Sequence, residues 1–213
     1  MSHCSNRDIN VVVRARKEDT MNVQHINIKF YLENPETVNL AGYATVFNTW
    51  IQQQRLEELL IDVADYLHVH NGPGIMLIGH EADYSLDNRA GRLGLLYNRK
   101  EQLEGTTQEK LAQATRAALT AAQILEKENG LKFNGSEVQM IVNDRLLVPN
   151  TAESFVALEA ELNEFFDKLY DGAETTLAHH ADPRERFTLN GKAESNFDVD
   201  TLLKNLSGEI AHA

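Results

Sequence analysis

Cysteine is almost missing from this chain of 213 residues: Cys4 is the only one. That excludes an intramolecular disulfide and a cysteine-rich zinc module. Long apolar runs are missing too. The densest, Gly74-Ile75-Met76-Leu77-Ile78-Gly79, falls well short of the roughly 20 residues that cross a bilayer as a helix. The opening Met1-Ser2-His3-Cys4-Ser5-Asn6 has no basic region leading into an apolar core, so it does not read as a secretory signal. Together these absences predict a cytoplasmic protein with no membrane partner. Basic charge is also scarce. Twenty Lys and Arg stand against 32 Asp and Glu, a net charge of −12. Binding to nucleic acid needs a basic surface that displaces counterions from phosphates. The one basic cluster, Arg14-Ala15-Arg16-Lys17, runs straight into Glu18-Asp19, so no nucleic-acid partner is expected. The acidity reads as a solubility feature.

What is present is ordinary for a globular protein, with 42% apolar and 24% charged residues. The length suits one large domain or two small ones. Residues 1–20 are polar apart from Ile9 and Val11-Val12-Val13, and read as a flexible N-terminal arm. Patterned sequence begins at Met21. Val23 to Leu32 predicts a strand, ended by Asn34-Pro35. Glu36 to Asn48 reads either as a loop or as a short extra helix. Leu56, Leu59, Leu60, Val63 and Leu67 predict a helix over 49–67, stopped by Asn71-Gly72-Pro73-Gly74. Ile75 to Gly79 and Leu93 to Tyr97 then read as one hairpin with a decorated tip.

Thr106 to Glu128 is the clearest helix, with Thr106 and Glu109 as a capping box and an alanine-rich face suited to close packing against a sheet or a symmetry mate. Val138 to Val142 is strand-like. Asn150 caps the next predicted helix, whose stripe is Phe155, Leu158, Leu162, Phe165, Phe166 and Leu169. Its opposite face is acidic. Glu174–His180 and Phe187–Leu189 form a second hairpin, and Asp198 starts a short last helix ending at Gly208.

One echo runs through this order. Gly79-His80-Glu81-Ala82-Asp83 reappears as Ala178-His179-His180-Ala181-Asp182, each copy after a helical stretch and an apolar run. The halves, 21–130 and 131–213, both read strand, helix, strand, strand, helix. The expected fold is therefore α+β: two related β-α-β-β-α halves forming a mixed or antiparallel sheet with helices packed on it. At the level of fold, residues 23–143 look like a ferredoxin-like unit, a resemblance that implies no function.

Histidine titrates near neutral pH and ligates metals, and aspartate can orient it or share the metal. If the copies face each other across a pseudo-twofold axis, His80, Asp83, His179, His180 and Asp182 line one cleft. Arg89, Arg92, Arg184 or Arg186 would act there as anion clamps. A divalent metal, if bound, would sit on His80 and His179. The alternative is plain hairpin architecture, because residues three apart on a strand face opposite ways. His68-Val69-His70 reads as the C-terminal end of a helix rather than a ligand pair, and Gly72-Pro73-Gly74 as a turn rather than a phosphate loop. No nucleophile has local support: Ser85 lacks an elbow of small residues, and Ser154 and Ser195 stand alone.

Three functions fit. The leading one is a non-catalytic protein with a pseudo-symmetric groove, binding a small ligand or serving as an accessory to a protein partner, with a homodimer among the assemblies it allows. The others are a metal-dependent hydrolase using His and Asp, and an assembly protein whose acidic helix 151–170 meets a basic partner.

Overall fold

The computed structural model describes residues 21–207. The expectations for the arm 1–20, for Cys4 and for a helix end at Gly208 lie outside the described residues. Within them, β1 (Ile26–Leu32) is buried along its whole length. The reason is its place: β5 (Gly94–Arg99) pairs with one edge of β1 and β6 (Phe133–Val142) with the other, both antiparallel. Even-numbered Ile26, Ile28 and Phe30 enter the apolar core, while odd-numbered Asn27, Lys29 and Tyr31 face the other way.

Around this strand the chain builds one eight-stranded sheet in the order β2-β3-β4-β5-β1-β6-β8-β7, with every neighbour antiparallel. The outer strands are β2 (Leu60–Tyr66), β3 (Gly74–Gly79) and β4 (Ala82–Asp87) on one side, and β8 (Phe187–Ala193) and β7 (Thr175–His179) on the other.

Four helices pack on the sheet. α1 (Tyr43–Gln53) lies against β2 and β3, and α2 (Thr107–Asn129) against β1 and β5. α3 (Ala152–Leu169) reaches β7, and α4 (Val199–Ser207) reaches β6. The capping box at Thr106 and Glu109 forms as expected, and Gly130 closes α2 with φ +70°. Ala114, Ala118, Ala121 and Ala122 are fully buried, so the small face of α2 packs inside the molecule. Along α3, Leu158, Leu162, Phe165, Phe166 and Leu169 are buried, while Phe155 is only partly so. The cap of α3 differs by one residue: the Thr151 hydroxyl accepts the Ser154 N–H, and Asn150 is used elsewhere.

The largest departure is the helix predicted over 49–67. The helix lies upstream, and buries Tyr43, Phe47 and Trp50. It ends where Gln54 turns left-handed at φ 49°. Leu60–Tyr66 is a strand, paired with β3 from Leu60↔Gly79 to Tyr66↔Gly74 with a bulge after Leu60. The leucine spacing satisfied a helical period, but β3 is interior and its second edge needs a partner for its N–H and C=O groups. His68 and His70 consequently sit in the β2–β3 connection, not at a helix end.

The hairpin predicted over 75–98 is also different, because β4 intervenes between β3 and β5. Tyr84 and Leu86 point into the core, and the alternating Asp83, Ser85 and Asp87 masked that strand in the sequence.

Candidate functional site

The face of the sheet turned away from the core carries alternate residues of five strands. They enclose a basin of ≈ 440 Å³ bordered by Lys29 and Tyr31 of β1, Asp87 of β4, Glu137 and Gln139 of β6, and Thr188 and Asn190 of β8. Arg89, Arg92 and Arg186 stand on its rim. The register explains the opening. Asp87 pairs with Gly94, and Gly94 pairs with Tyr31, so a residue without a side chain separates the Asp87 and Tyr31 positions. A Cβ at Gly94 would lie 2.3 Å from the Phe30 carbonyl oxygen, which restricts the position to glycine. The β4–β5 turn supplies two of the arginines. Ala90 (φ 57°) and Gly91 (φ 68°) are both left-handed there, and the reversal brings Arg89 and Arg92 to the same basin.

Two ion pairs form the floor and one wall. Lys29 Nζ donates to Asp87 Oδ1 at 2.6 Å, with only 3% and 2% of the side chains exposed. Asp87 also accepts the Arg89 backbone N–H at 3.2 Å, and its other oxygen lies 3.3 Å from Arg89 Nε. Burial pushes the Lys29 ammonium below its ordinary pKa; Asp87 opposes that shift, and Arg89 and Arg92 add to it. Arg92 grips Glu137 with two parallel bonds of 2.6 and 2.8 Å, and its guanidinium carbon lies 3.5 Å from the centre of the Tyr31 ring. The grip of Arg92 holds the Glu137 carboxyl below its usual range.

Arg186 is different. Among the described residues its guanidinium makes one hydrogen bond, from Nη1 to Asn143 Oδ1 at 3.3 Å, and no carboxylate lies within ion-pair reach of it. Burial lowers its pKa first and Arg89 lowers it further, while Asp87 and Glu185 partly oppose the shift. Four cations and two carboxylates border the basin, leaving it positive in a chain of net charge −12.

Of the residues predicted for a site, Arg89, Arg92 and Arg186 meet in this basin, and Arg184 does not line it. The histidines do not. His80 lies between β3 and β4, with 61% of its side chain exposed and Nδ1 3.5 Å from Glu81. His179 ends β7, and four strands separate β4 from β7. At the usual strand spacing that is roughly 25 Å along the sheet. The two rings therefore share neither a cleft nor a metal. His80 lies in the tight turn directly after β3, and His179 is the last residue of β7.

Asp83 accepts Gly79 N–H at 3.3 Å and pairs with Lys100 Nζ at 2.8 Å rather than with His80. Asp182 holds its neighbour Arg184 at 2.7 Å, which drives its pKa down to about 2. His180 contributes its carbonyl to Asn150 Nδ2 at 3.1 Å. Among the described residues, no three His, Cys, Asp or Glu side chains form a group that could hold a metal.

Lys29, Tyr31, Asp87, Glu137 and Gln139 escaped the sequence reading. Lys29 did offer a signal: it is a lysine in the middle of the apolar strand Ile26–Leu32. Asp87 and Glu137 offered none, because only the strand register brings them close. No helix among the described residues is long and apolar enough to cross a membrane. No family model and no curated protein matches the chain.

Proposed function

We propose that this is a non-catalytic, cytoplasmic small-ligand-binding protein whose basin takes a small molecule carrying a carboxylate or phosphate group. One observation carries the reading: Arg186 faces the basin beside Arg89, and among the described residues no carboxylate lies within ion-pair distance of it, Asp87 and Glu185 acting only from farther away. A partly buried guanidinium in that state favours an incoming anion, since charge-assisted bonds strengthen where water is scarce. Lys29–Asp87 and Arg92–Glu137 hold the walls, and Thr188, Gln139 and Asn190 offer neutral hydrogen-bonding groups to the rest of the ligand.

The groove reading extends to two related halves. What supports it is the order of elements. β4-β5-β1 and β6-β8-β7 lie side by side, α1 and α3 follow β1 and β6, and α2 and α4 follow β5 and β8. The run β6-β1-β5-β4, with α1 and α2 as crossovers, has the order of a ferredoxin-like βαββαβ unit into which the β2–β3 hairpin is inserted. The basin lies across the β1–β6 junction of these halves.

The test is calorimetric titration of the purified protein at low salt with inorganic phosphate and with citrate. Saturable binding of at least one anion is expected. Arg186→Gln and Arg89→Gln should each weaken it by roughly tenfold or more, the equivalent of one lost charge-assisted bond. Arg184→Gln, which is outside the basin, should leave it unchanged. Neither anion binding, or Arg186→Gln binding as well as the wild type, would refute the assignment.

A further inference from the structure

Seven large apolar side chains are exposed among the described residues, and five of them, Leu59, Ile61, Tyr66, Leu67 and Val69, fall on β2 and its flanks. Among the described residues β2 is an outer strand, paired only with β3. An outer strand presents unpaired backbone groups, and exposed apolar side chains there are usually removed or covered. Here two groups are met by the strand's own aspartates: Asp62 Oδ1 accepts Val63 N–H and Asp65 Oδ1 accepts Leu67 N–H, both at 2.8 Å.

We propose that β2 pairs with β2 of a second copy of this chain, antiparallel about a twofold axis at Ala64, so that the two sheets join edge to edge. The occupant follows from the order of residues in Leu60-Ile61-Asp62-Val63-Ala64-Asp65-Tyr66. With Ala64 opposite itself, Asp62 faces Tyr66 and Val63 faces Asp65, and each end of the seam brings Leu59 and the bulge residue Ile61 of one copy toward the β2–β3 turn of the other, which carries Leu67 and Val69. Four of the five exposed apolar residues then gather at the two ends of the seam. The Val63 N–H passes to the Asp65 carbonyl across the seam, which frees the Asp62 carboxylate to accept the Tyr66 hydroxyl.

Charge and hydrogen-bond alternation reject the other registers. Centring on Asp62 or on Asp65 opposes like charges, centring between Val63 and Ala64 sets Asp62 against Asp65, and any centre between two residues faces backbone groups that point to opposite edges. Centring on Val63 sets Asp65 against Ile61 and leaves Val69 uncovered. The carboxylates that guard a free edge against unspecific pairing thus select one self-pairing. The seam is on the far side of β3 from the basin, so it is independent of ligand binding.

The test joins light scattering with a register-specific crosslink. The wild-type chain should run as a dimer at micromolar concentration. In a Cys4→Ser background, Ala64→Cys should form an intermolecular disulfide under mild oxidation, because facing residues bring their Cβ atoms to about 4.5–5.5 Å. Val63→Cys in the same background should not, since it faces Asp65. Ile61→Lys should raise the dissociation constant by roughly tenfold or more with an unchanged circular dichroism spectrum. A monomeric wild type overturns the proposal, and so does a dimer that crosslinks at position 63 rather than 64. The crosslink stands even where Ile61→Lys fails to fold.

Discussion

Lys29 sets the chemistry of the open face. It and Asp87 are both almost fully buried, yet neither touches the helices; their burial comes from the side chains that ring the basin. A pair of this kind contributes little net stability against an apolar replacement, but removing one partner leaves a buried charge alone. Lys29→Met is therefore expected to cost about 3–5 kcal/mol in urea denaturation. Lys29→Met with Asp87→Leu should recover most of that loss. Equal stability for both variants would mean that Asp87 is adequately held by Arg89. Lys29 was legible as an oddity in an apolar strand. Asp87 was not, because the contact spans 58 positions in the chain.

The β7–β8 hairpin is pinned by a clamp that the sequence reading took for a ligand group. The His179 ring stacks between Phe155 of α3, at 5.1 Å and 4°, and Phe187 of β8, at 4.8 Å and 27°. Its Nε2 donates to Asn150 Oδ1 at 2.7 Å, and Asn150 Nδ2 in turn donates to the His180 and Asp182 carbonyls. Asn150, expected as a helix cap, thus ties the hairpin end to the start of α3. Burial lowers the His179 pKa below its usual 6.5, and His180 lowers it further. The folded ring stays neutral to lower pH than the unfolded one. Its contribution is therefore complete above about pH 6.5 and declines as the pH falls below that toward the folded value. The wild type should lose more of its melting temperature between pH 7.5 and 5.5 than His179→Phe does. An identical loss in both would remove His179 from the account.

At the scale of the molecule, both parts of the chain share one sheet and one continuous core. β1 and β6 pair over most of β1, and buried residues from all four helices belong to a single apolar cluster. Opening either part would expose the edge of a strand that is buried on both faces. Thermal unfolding should accordingly give one transition, coincident by near- and far-ultraviolet circular dichroism, despite the length of the chain. Two resolved transitions would show that 21–130 and 131–207 fold separately. The same scale governs charge: an acidic chain still gathers four cations at one basin, because alternation and register, not composition, decide which side chains meet.

The sequence by itself determined the elements whose signals are local. Thr106 and Glu109 fixed the start of α2, the phenylalanine and leucine stripe fixed α3, and Asp198 fixed α4, where its carboxylate accepts Thr201 N–H at 2.7 Å. Helix caps and helical stripes act within a turn or two, so they are written in neighbouring residues. The tertiary structure alone decided the state of Leu60–Tyr66, where Leu60 and Val63 fit a helical stripe with Leu56, Leu59 and Leu67 until the free edge of β3 claimed them as a strand. It alone set His80 and His179 apart, and it alone joined Lys29, Asp87, Arg92, Glu137 and Arg186. Strand order and register bring together residues distant in the chain, and no local pattern records which strand will be the neighbour.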